Sequence, residues 1–144
     1  MTERVRAVLI TPHDTTLVIK RIRPGLDPYW VIVGGKVEPT DASHTEALLR
    51  EIREEIAGDA QILRLLHRME NDRGEPEYFY LARIEQWDFD SRTGPEFART
   101  DRGEYYLEEI PLTGEAVGAL ALMPPQFKAV LWGALEHGTL LDAG

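Results

Sequence analysis

The chain has 144 residues, a formal net charge of −9 and no cysteine. Its length suits one domain, the lack of cysteine excludes disulfides and thiolate metal sites, and the acidic charge argues against long nucleic acid or a membrane surface as a partner. Since residues 1–5 lack a signal-peptide layout and no apolar run could span a bilayer, we expect a cytoplasmic protein with one domain over residues 1–144. A homodimer is compatible with the sequence, which does not determine the oligomeric state.

The first part of the chain predicts three short strands that end at a pair of glycines. The segments are rich in Val, Ile and Leu and are separated by turns that contain Pro, Gly or Asp. The predicted strands are Val5–Thr11, Thr16–Ile22 and Trp30–Val33. The first two predict a hairpin, and the third runs directly into Gly34 and Gly35.

The next segment, Ser43–Ala57, predicts an amphipathic helix. Ser43 followed by Glu46 forms a capping-box pattern at its start. Apolar residues recur at helical spacing, so one face should pack against the sheet. The residues expected to pack inward are Leu48, Ile52 and Ile56, with Leu49 at the edge of the buried stripe.

The remainder of the chain predicts further strands, one long polar loop and a final helix. The expected strands are Ala60–Glu70, Glu77–Ile84 and Glu104–Ile110. The loop Ser91–Gly103 is long enough to suggest a functional role. Pro125 can occupy the first turn of a helix that ends near His137, with Phe127, Val130, Leu131 and Leu135 as its core contacts. Strands on both sides of a central helix predict an α+β fold or an α/β/α layout.

The candidate chemistry lies on the polar face of the first predicted helix. At about 100° per residue, Glu51, Glu54 and Glu55 share one face, and Ala47 lies on that face one turn earlier, where a small side chain leaves room for a ligand. Each like-charge pair costs about 0.2–0.5 kcal/mol on an exposed helix, and a bound Mg²⁺ or Mn²⁺ would reverse that cost. Arg50, four residues from Glu54, is suited to hold a glutamate in position.

A plain alternative is a solvated acidic helix face with intrahelical Arg–Glu pairs. The diglycine before the helix favours a ligand site instead, because glycines let the backbone approach a ligand closely. The order of strand, diglycine, short loop and acidic helix brings backbone and carboxylates around one small volume.

The segment from Gly34 to Gly58 resembles the Nudix box, whose pattern is G-x5-E-x7-R-E-U-x-E-E-x-G-U with U an aliphatic residue. Residues 50–55, REIREE, match its core without a gap, and GGKVE at residues 34–38 matches its usual entry. The match covers about a sixth of the chain. It departs in four places: Val33 replaces a common proline, one extra residue precedes Arg50, Asp41 lies near the usual loop glutamate, and Ala57 takes the glycine position. The late Gly58 predicts a helix about one residue longer.

The resemblance implies a Nudix-like α/β/α sandwich with a mixed sheet and a central catalytic helix. It implies a hydrolase that uses Mg²⁺ or Mn²⁺ to cleave a pyrophosphate bond in a nucleoside diphosphate linked to another moiety, so the expected partner is a small nucleotide-like molecule. The implied metal ligands are Gly35 through its carbonyl, Glu51, Glu54 and Glu55, with Glu38 a weaker candidate. The implied catalytic residues are Glu51, Glu54, Arg50 and, as a loop base, Glu96, with Asp101 and Glu104 as rivals.

Substrate phosphates are expected to meet basic residues near the second strand and the diglycine. The candidates are Arg21, Arg23 and Lys36, with Lys20 beside them. Exposure to solvent is the commoner fate of such residues. Two other functions stay open at this point: a Nudix-fold nucleotide-binding or regulatory module without catalysis, and a structural metal-binding protein, which would not need a diglycine loop.

Overall fold

The computed structural model describes residues 2–91 and 103–141. Within them the strands are β1 (Arg4–Ile10), β2 (Thr15–Ile22), β3 (Tyr29–Lys36), β4 (Asp59–Glu70), β5 (Pro76–Gln86), β6 (Glu104–Pro111) and β7 (Leu122–Met123). The helices are α1 (His44–Ile56), α2 (Gly114–Gly118) and α3 (Pro125–Glu136), and a 3-10 turn covers Phe89–Ser91. The predicted strands and both predicted helices are present, whereas α2 and β7 were not predicted.

The strands form one mixed sheet. β1 pairs in parallel with β5, and β3 pairs in parallel with β7, whereas the other neighbouring strands run antiparallel. Helix α1 packs on one face, and α2 and α3 pack on the other. The predicted α+β fold with a mixed sheet and a central helix is therefore confirmed. None of the helices in residues 2–91 and 103–141 is long and apolar enough to cross a bilayer.

The sheet divides around β3. The first half of β3, residues 29–32, pairs with β2, and its second half, residues 33–36, pairs with β1. β1 and β2 pair with each other only where Leu9 and Ile10 meet Leu17 and Thr16. The three strands therefore diverge from one point, and the side chains beyond that point can line a cleft rather than cover one another.

Alternation along the strands builds a core on each face. Leu17 and Ile19 of β2 pack with α1, whereas Val18 between them packs with α3. The inward face of α1 is as predicted: Leu48, Ile52 and Ile56 are fully buried and Leu49 is half-buried at the edge. In α3, Phe127 and Leu131 are buried, and Val130 and Leu135 pack against them.

Ala47 does not leave room for a ligand as predicted. It is fully buried and packs in the core between α1 and the sheet. The small side chain is therefore part of the packing between the helix and the strands.

The C-terminus of α1 also differs from the prediction of a longer helix. The helix ends at Ile56, and Ala57 itself adopts the left-handed conformation, with φ 48° and ψ 43°. A Cβ atom at Gly58 would lie 2.6 Å from Cδ1 of Ile84. Gly58 therefore allows close packing against Ile84 one residue after the turn, and the left-handed position falls on an alanine.

Candidate active site

A cavity of about 790 Å³ lies where the divided sheet meets α1. Helix α1 contributes four charged residues to its wall: Arg50, Glu51, Glu54 and Glu55. The strands contribute the diglycine of β3 and a set of basic side chains. The structure therefore gathers in one place the residues that the sequence pattern selected on the helix and at the end of β3.

The diglycine lets β3 approach both β1 and the helix. A Cβ atom at Gly35 would lie 2.5 Å from the carboxyl carbon of Glu51, and one at Gly34 would collide with the carbonyl oxygen of Val5. Any side chain at residue 35 would fill the space that the Glu51 carboxylate occupies. The backbone of Gly35 and the carboxylate of Glu51 therefore lie close together, as the order of diglycine and acidic helix along the chain predicted.

Arg50 ties the loop after β3 to the acidic helix. It donates two hydrogen bonds to Asp41, from Nε to Oδ1 at 2.9 Å and from Nη2 to Oδ2 at 2.8 Å, and one to the carbonyl oxygen of Lys36 at 3.0 Å. Its Nη1 donates to Oε1 of Glu51 at 3.1 Å and to Oε2 of Glu54 at 2.9 Å. Arg50 therefore contacts both glutamates, which is the arrangement expected of a residue that holds them in position.

The Arg50 network also changes the titration of its partners. The guanidinium of Arg50 lowers the pKa of Asp41 from 3.8 to about 2. In turn the hydrogen bonds to Asp41 raise the pKa of Arg50. The extra loop residue that distinguishes this segment from the strict motif therefore does not prevent an aspartate from reaching the arginine, and Asp41 remains ionised throughout the neutral range.

The side chain of Glu51 is only 11% exposed, whereas that of Glu54 is 32% exposed, and Glu55 is a buried residue. Carboxylates at a buried cavity wall differ from the solvated helix face that was the plain alternative. Among the described residues, no three His, Asp or Glu side chains converge as ligands of one ion, and Arg50 lies between Glu51 and Glu54. The donor set nonetheless fits a hard divalent cation, because it consists of carboxylate oxygens beside a glycine cradle.

The strands supply a basic wall to the same cavity. Arg21 of β2 and Lys36 of β3 line it as predicted. Tyr105 of β6, opposite Arg21 in register, also lines it, and the Cζ atom of Arg21 lies 3.8 Å from the centre of the Tyr105 ring. Arg4 and Arg6 of β1 complete this wall and were not predicted, although two basic residues spaced two apart on a strand share one face.

Of the other predicted site residues that the structure describes, only Glu38 lines the cavity. Arg23 is exposed and does not line the cavity, because it follows the end of β2 and points into solvent there. Glu104 is exposed at the start of β6 and is also outside the lining. Glu96 and Asp101 lie outside the described residues.

Comparison by sequence gives one family match. The model described as NUDIX domain matches residues 1–125. No curated protein matches the chain.

Several solved structures share the fold. The ORF135 protein of E. coli is 23% identical over 99% of this chain and 95% of its own, with a TM-score of 0.65. An Ap4A hydrolase of C. elegans is 14% identical over 94% of this chain and 99% of its own, with a TM-score of 0.65. An ADP-ribose pyrophosphatase of Streptococcus suis is 18% identical over 92% of this chain and 90% of its own, with a TM-score of 0.61. At these identities the similarity establishes the fold.

Proposed function

The chain belongs to the NUDIX family of hydrolases, and from this premise we propose that it cleaves a pyrophosphate bond in a nucleotide derivative with the help of Mg²⁺ or Mn²⁺. The observation that supports the proposal most strongly is that the Glu51 carboxylate occupies the space left by the missing side chain of Gly35, at the wall of a cavity lined by both acidic and basic residues. An acidic side alone would repel phosphates, and a basic side alone would not hold a metal ion.

We assign the metal site to Glu51, Glu54, Glu55 and the carbonyl of Gly35. These residues would hold a divalent cation, which would supply neutralisation of phosphate charge, a lowered pKa of water and stabilisation of the departing phosphate. Carboxylate and carbonyl oxygens are the ligands that Mg²⁺ and Mn²⁺ prefer, and a cation bound here would draw together carboxylates that do not converge on one point in residues 2–91 and 103–141.

Arg50 is proposed as a positioning residue. It contacts one oxygen of Glu51 and one of Glu54, and a carboxylate has acceptor capacity for further partners on each oxygen. Arg50 can therefore orient both side chains and still leave them able to bind a cation. Asp41 fixes Arg50 in turn through its two hydrogen bonds.

On the substrate side, Arg21 and Lys36 are proposed to meet phosphate oxygens, because both line the cavity. Glu96 is proposed as the base that activates water, with Glu51 as the alternative on the helix. The names of the structural relatives include an Ap4A hydrolase and an ADP-ribose pyrophosphatase, which differ in substrate, so the fold alone does not select the nucleotide derivative. We also propose that residues 1–144 act as one domain, because both cores share the strands of one sheet.

A panel of nucleotide derivatives tests the proposal. Purified protein is incubated with nucleoside triphosphates, dinucleoside polyphosphates and nucleotide sugars, each with Mg²⁺, with Mn²⁺ and with a chelator. We expect cleavage of at least one compound with metal and none with the chelator. Binding of nucleotides without cleavage of any of them would instead identify a non-catalytic nucleotide-binding module.

A further inference from the structure

Arg4 and Arg6 lie on the same face of β1 and line the proposed active-site cavity. Arg6 is opposite Gly34 in the β1–β3 register, and a Cβ atom at Gly34 would lie 2.9 Å from Cγ of Arg6. The glycine therefore leaves room for the stem of Arg6, and both residues line the cavity. Nothing in the proposed metal chemistry requires these two arginines.

A glutamate beside the start of β5 holds each arginine by the same atom: Glu75 immediately precedes the strand, and Glu77 is its second residue. Nε of Arg4 donates to Oε1 of Glu75 at 3.1 Å, and Nε of Arg6 donates to Oε1 of Glu77 at 2.7 Å. Nη1 of Arg6 also donates to the carbonyl oxygen of Ile32 at 3.0 Å. Within residues 2–91 and 103–141, the Nη groups of Arg4 and Nη2 of Arg6 donate no hydrogen bond. The arginines are thus fixed at Nε, and Nη donors are left for a ligand.

Stability alone does not account for the Arg6–Glu77 pair. Glu77 is only 4% exposed, and the side chain of Arg6 is 20% exposed. Burying an ion pair costs desolvation free energy that its attraction often fails to recover, so an apolar pair of similar volume is frequently as stable. What the ion pair adds is a fixed cation at the cavity wall.

The distribution of charge supports the same view. The chain carries a net charge of −9, yet five of its sixteen Lys and Arg residues line this one cavity. They are Arg4, Arg6, Arg21, Lys36 and Arg50. Arg50 contacts carboxylates through Nε and both Nη groups, whereas Arg4 and Arg6 each contact a carboxylate through Nε alone.

We propose that Arg4 and Arg6 bind a phosphate group of the substrate that is not part of the cleaved bond. Guanidinium groups suit this task because their planar forks match phosphate oxygens. The inference rests on the proposed function and narrows its substrate class: nucleotides with three or more phosphates, such as nucleoside triphosphates and dinucleoside polyphosphates, are favoured over nucleoside diphosphates joined to an uncharged sugar. The cavity volume of about 790 Å³ is suited to a ligand of this size.

The first test compares ATP with ADP-glucose as substrates of the wild type, Arg4→Gln and Arg6→Gln. Each arginine variant should raise KM for ATP roughly 10- to 100-fold, the range for a lost charge-assisted hydrogen bond, with little change in kcat. KM for ADP-glucose should stay near the wild-type value. Arg73→Gln is the matched control, because Arg73 also pairs with Glu75, at 3.3 Å, but its side chain is 69% exposed and lies outside the cavity.

Two further measurements keep the test decisive. The single variant Arg6→Gln leaves Glu77 buried without its cation. The double variant Arg6→Gln/Glu77→Gln replaces both charges by a neutral pair, and it should show the same rise in KM for ATP with KM for ADP-glucose unchanged. The second measurement is the affinity for inorganic tripolyphosphate, determined by calorimetry in the presence of a chelator, so that it depends on neither metal nor turnover. The affinity should fall in Arg4→Gln and Arg6→Gln but not in Arg73→Gln.

The proposal is overturned if the arginine variants affect both substrates equally, or if they bind tripolyphosphate as the wild type does. If the wild type cleaves no nucleotide, the proposed hydrolase function fails, and the tripolyphosphate comparison still decides whether Arg4 and Arg6 form a phosphate subsite.

Discussion

Replacement of Asp41 by asparagine removes the charge that fixes Arg50, and the structure sets the size of the effect. The aspartate accepts hydrogen bonds of 2.8 and 2.9 Å from Arg50, and its side chain is 7% exposed. A hydrogen bond to a charged group contributes about 1.5–3 kcal/mol, and the 24% exposure of Arg50 favours the lower end. We expect Asp41→Asn to lower the free energy of unfolding by about 1.5–2 kcal/mol, or the Tm by about 3–8 °C.

The same interaction predicts a dependence on pH. The pKa of Asp41 is lowered from 3.8 to about 2, chiefly by the hydrogen bonds from Arg50. A lowered pKa means that the stabilisation is complete above the unfolded-state value and is lost as the pH falls towards the folded-state value. The stability difference between the wild type and Asp41→Asn should therefore be full at neutral pH and shrink as the pH falls from 3.8 towards 2.

Thermal and urea unfolding at neutral pH and at about pH 3 measures both effects. Asp72→Asn is the matched control, because Asp72 is exposed in the turn between β4 and β5 and makes the same change in charge. Equal stabilities of Asp41→Asn and Asp72→Asn at neutral pH would refute the reasoning, as would a difference that persists unchanged in acid.

Three further variants test the helix and its surroundings. Gly35→Ala should lower turnover at least about tenfold, because its Cβ would lie 2.5 Å from the Glu51 carboxylate and displace it. Ala57→Gly should raise the free energy of unfolding by about 1 kcal/mol, because Ala57 is in the left-handed conformation; denaturant titration measures this. Glu96→Gln should slow turnover and leave Mn²⁺ affinity unchanged if Glu96 is the base. Glu104→Gln, outside the cavity, should leave both turnover and Mn²⁺ affinity unchanged.

Each of these expectations has a clear contrary result. Wild-type turnover in Gly35→Ala would mean that the Glu51 carboxylate need not occupy the glycine cradle. A less stable Ala57→Gly would show that the left-handed conformation does not govern the end of α1. Loss of Mn²⁺ affinity in Glu96→Gln would make Glu96 a metal ligand rather than the base.

Features that depend on neighbouring residues along the chain were predictable. The register of α1 follows from its apolar spacing and from Ser43, whose Oγ accepts the hydrogen bond from the backbone N–H of Glu46 at 3.1 Å. The grouping of Glu51, Glu54 and Glu55 follows from the same helical periodicity.

Features that depend on strand pairing were not predictable from local patterns. Arg6 and Glu77 are 71 residues apart, and only the parallel pairing of β1 with β5 brings them together. Tyr105 meets Arg21 because β6 returns beside β2. The error at Ala47 has the same origin, because the helical wheel shows which residues share a face but not how closely the sheet approaches it.

The central claim is that the acidic face of α1 binds the metal ion for pyrophosphate cleavage. The most direct test compares Mg²⁺-dependent turnover of the best substrate in the wild type, Glu54→Gln and Glu46→Gln. Glu46 is on the same helix, is exposed and lies outside the cavity, so its variant makes the same change in charge away from the site. The account predicts a loss of orders of magnitude in Glu54→Gln with the fold retained, and near wild-type turnover in Glu46→Gln. Wild-type turnover in Glu54→Gln, or an equal loss in both variants, would contradict it.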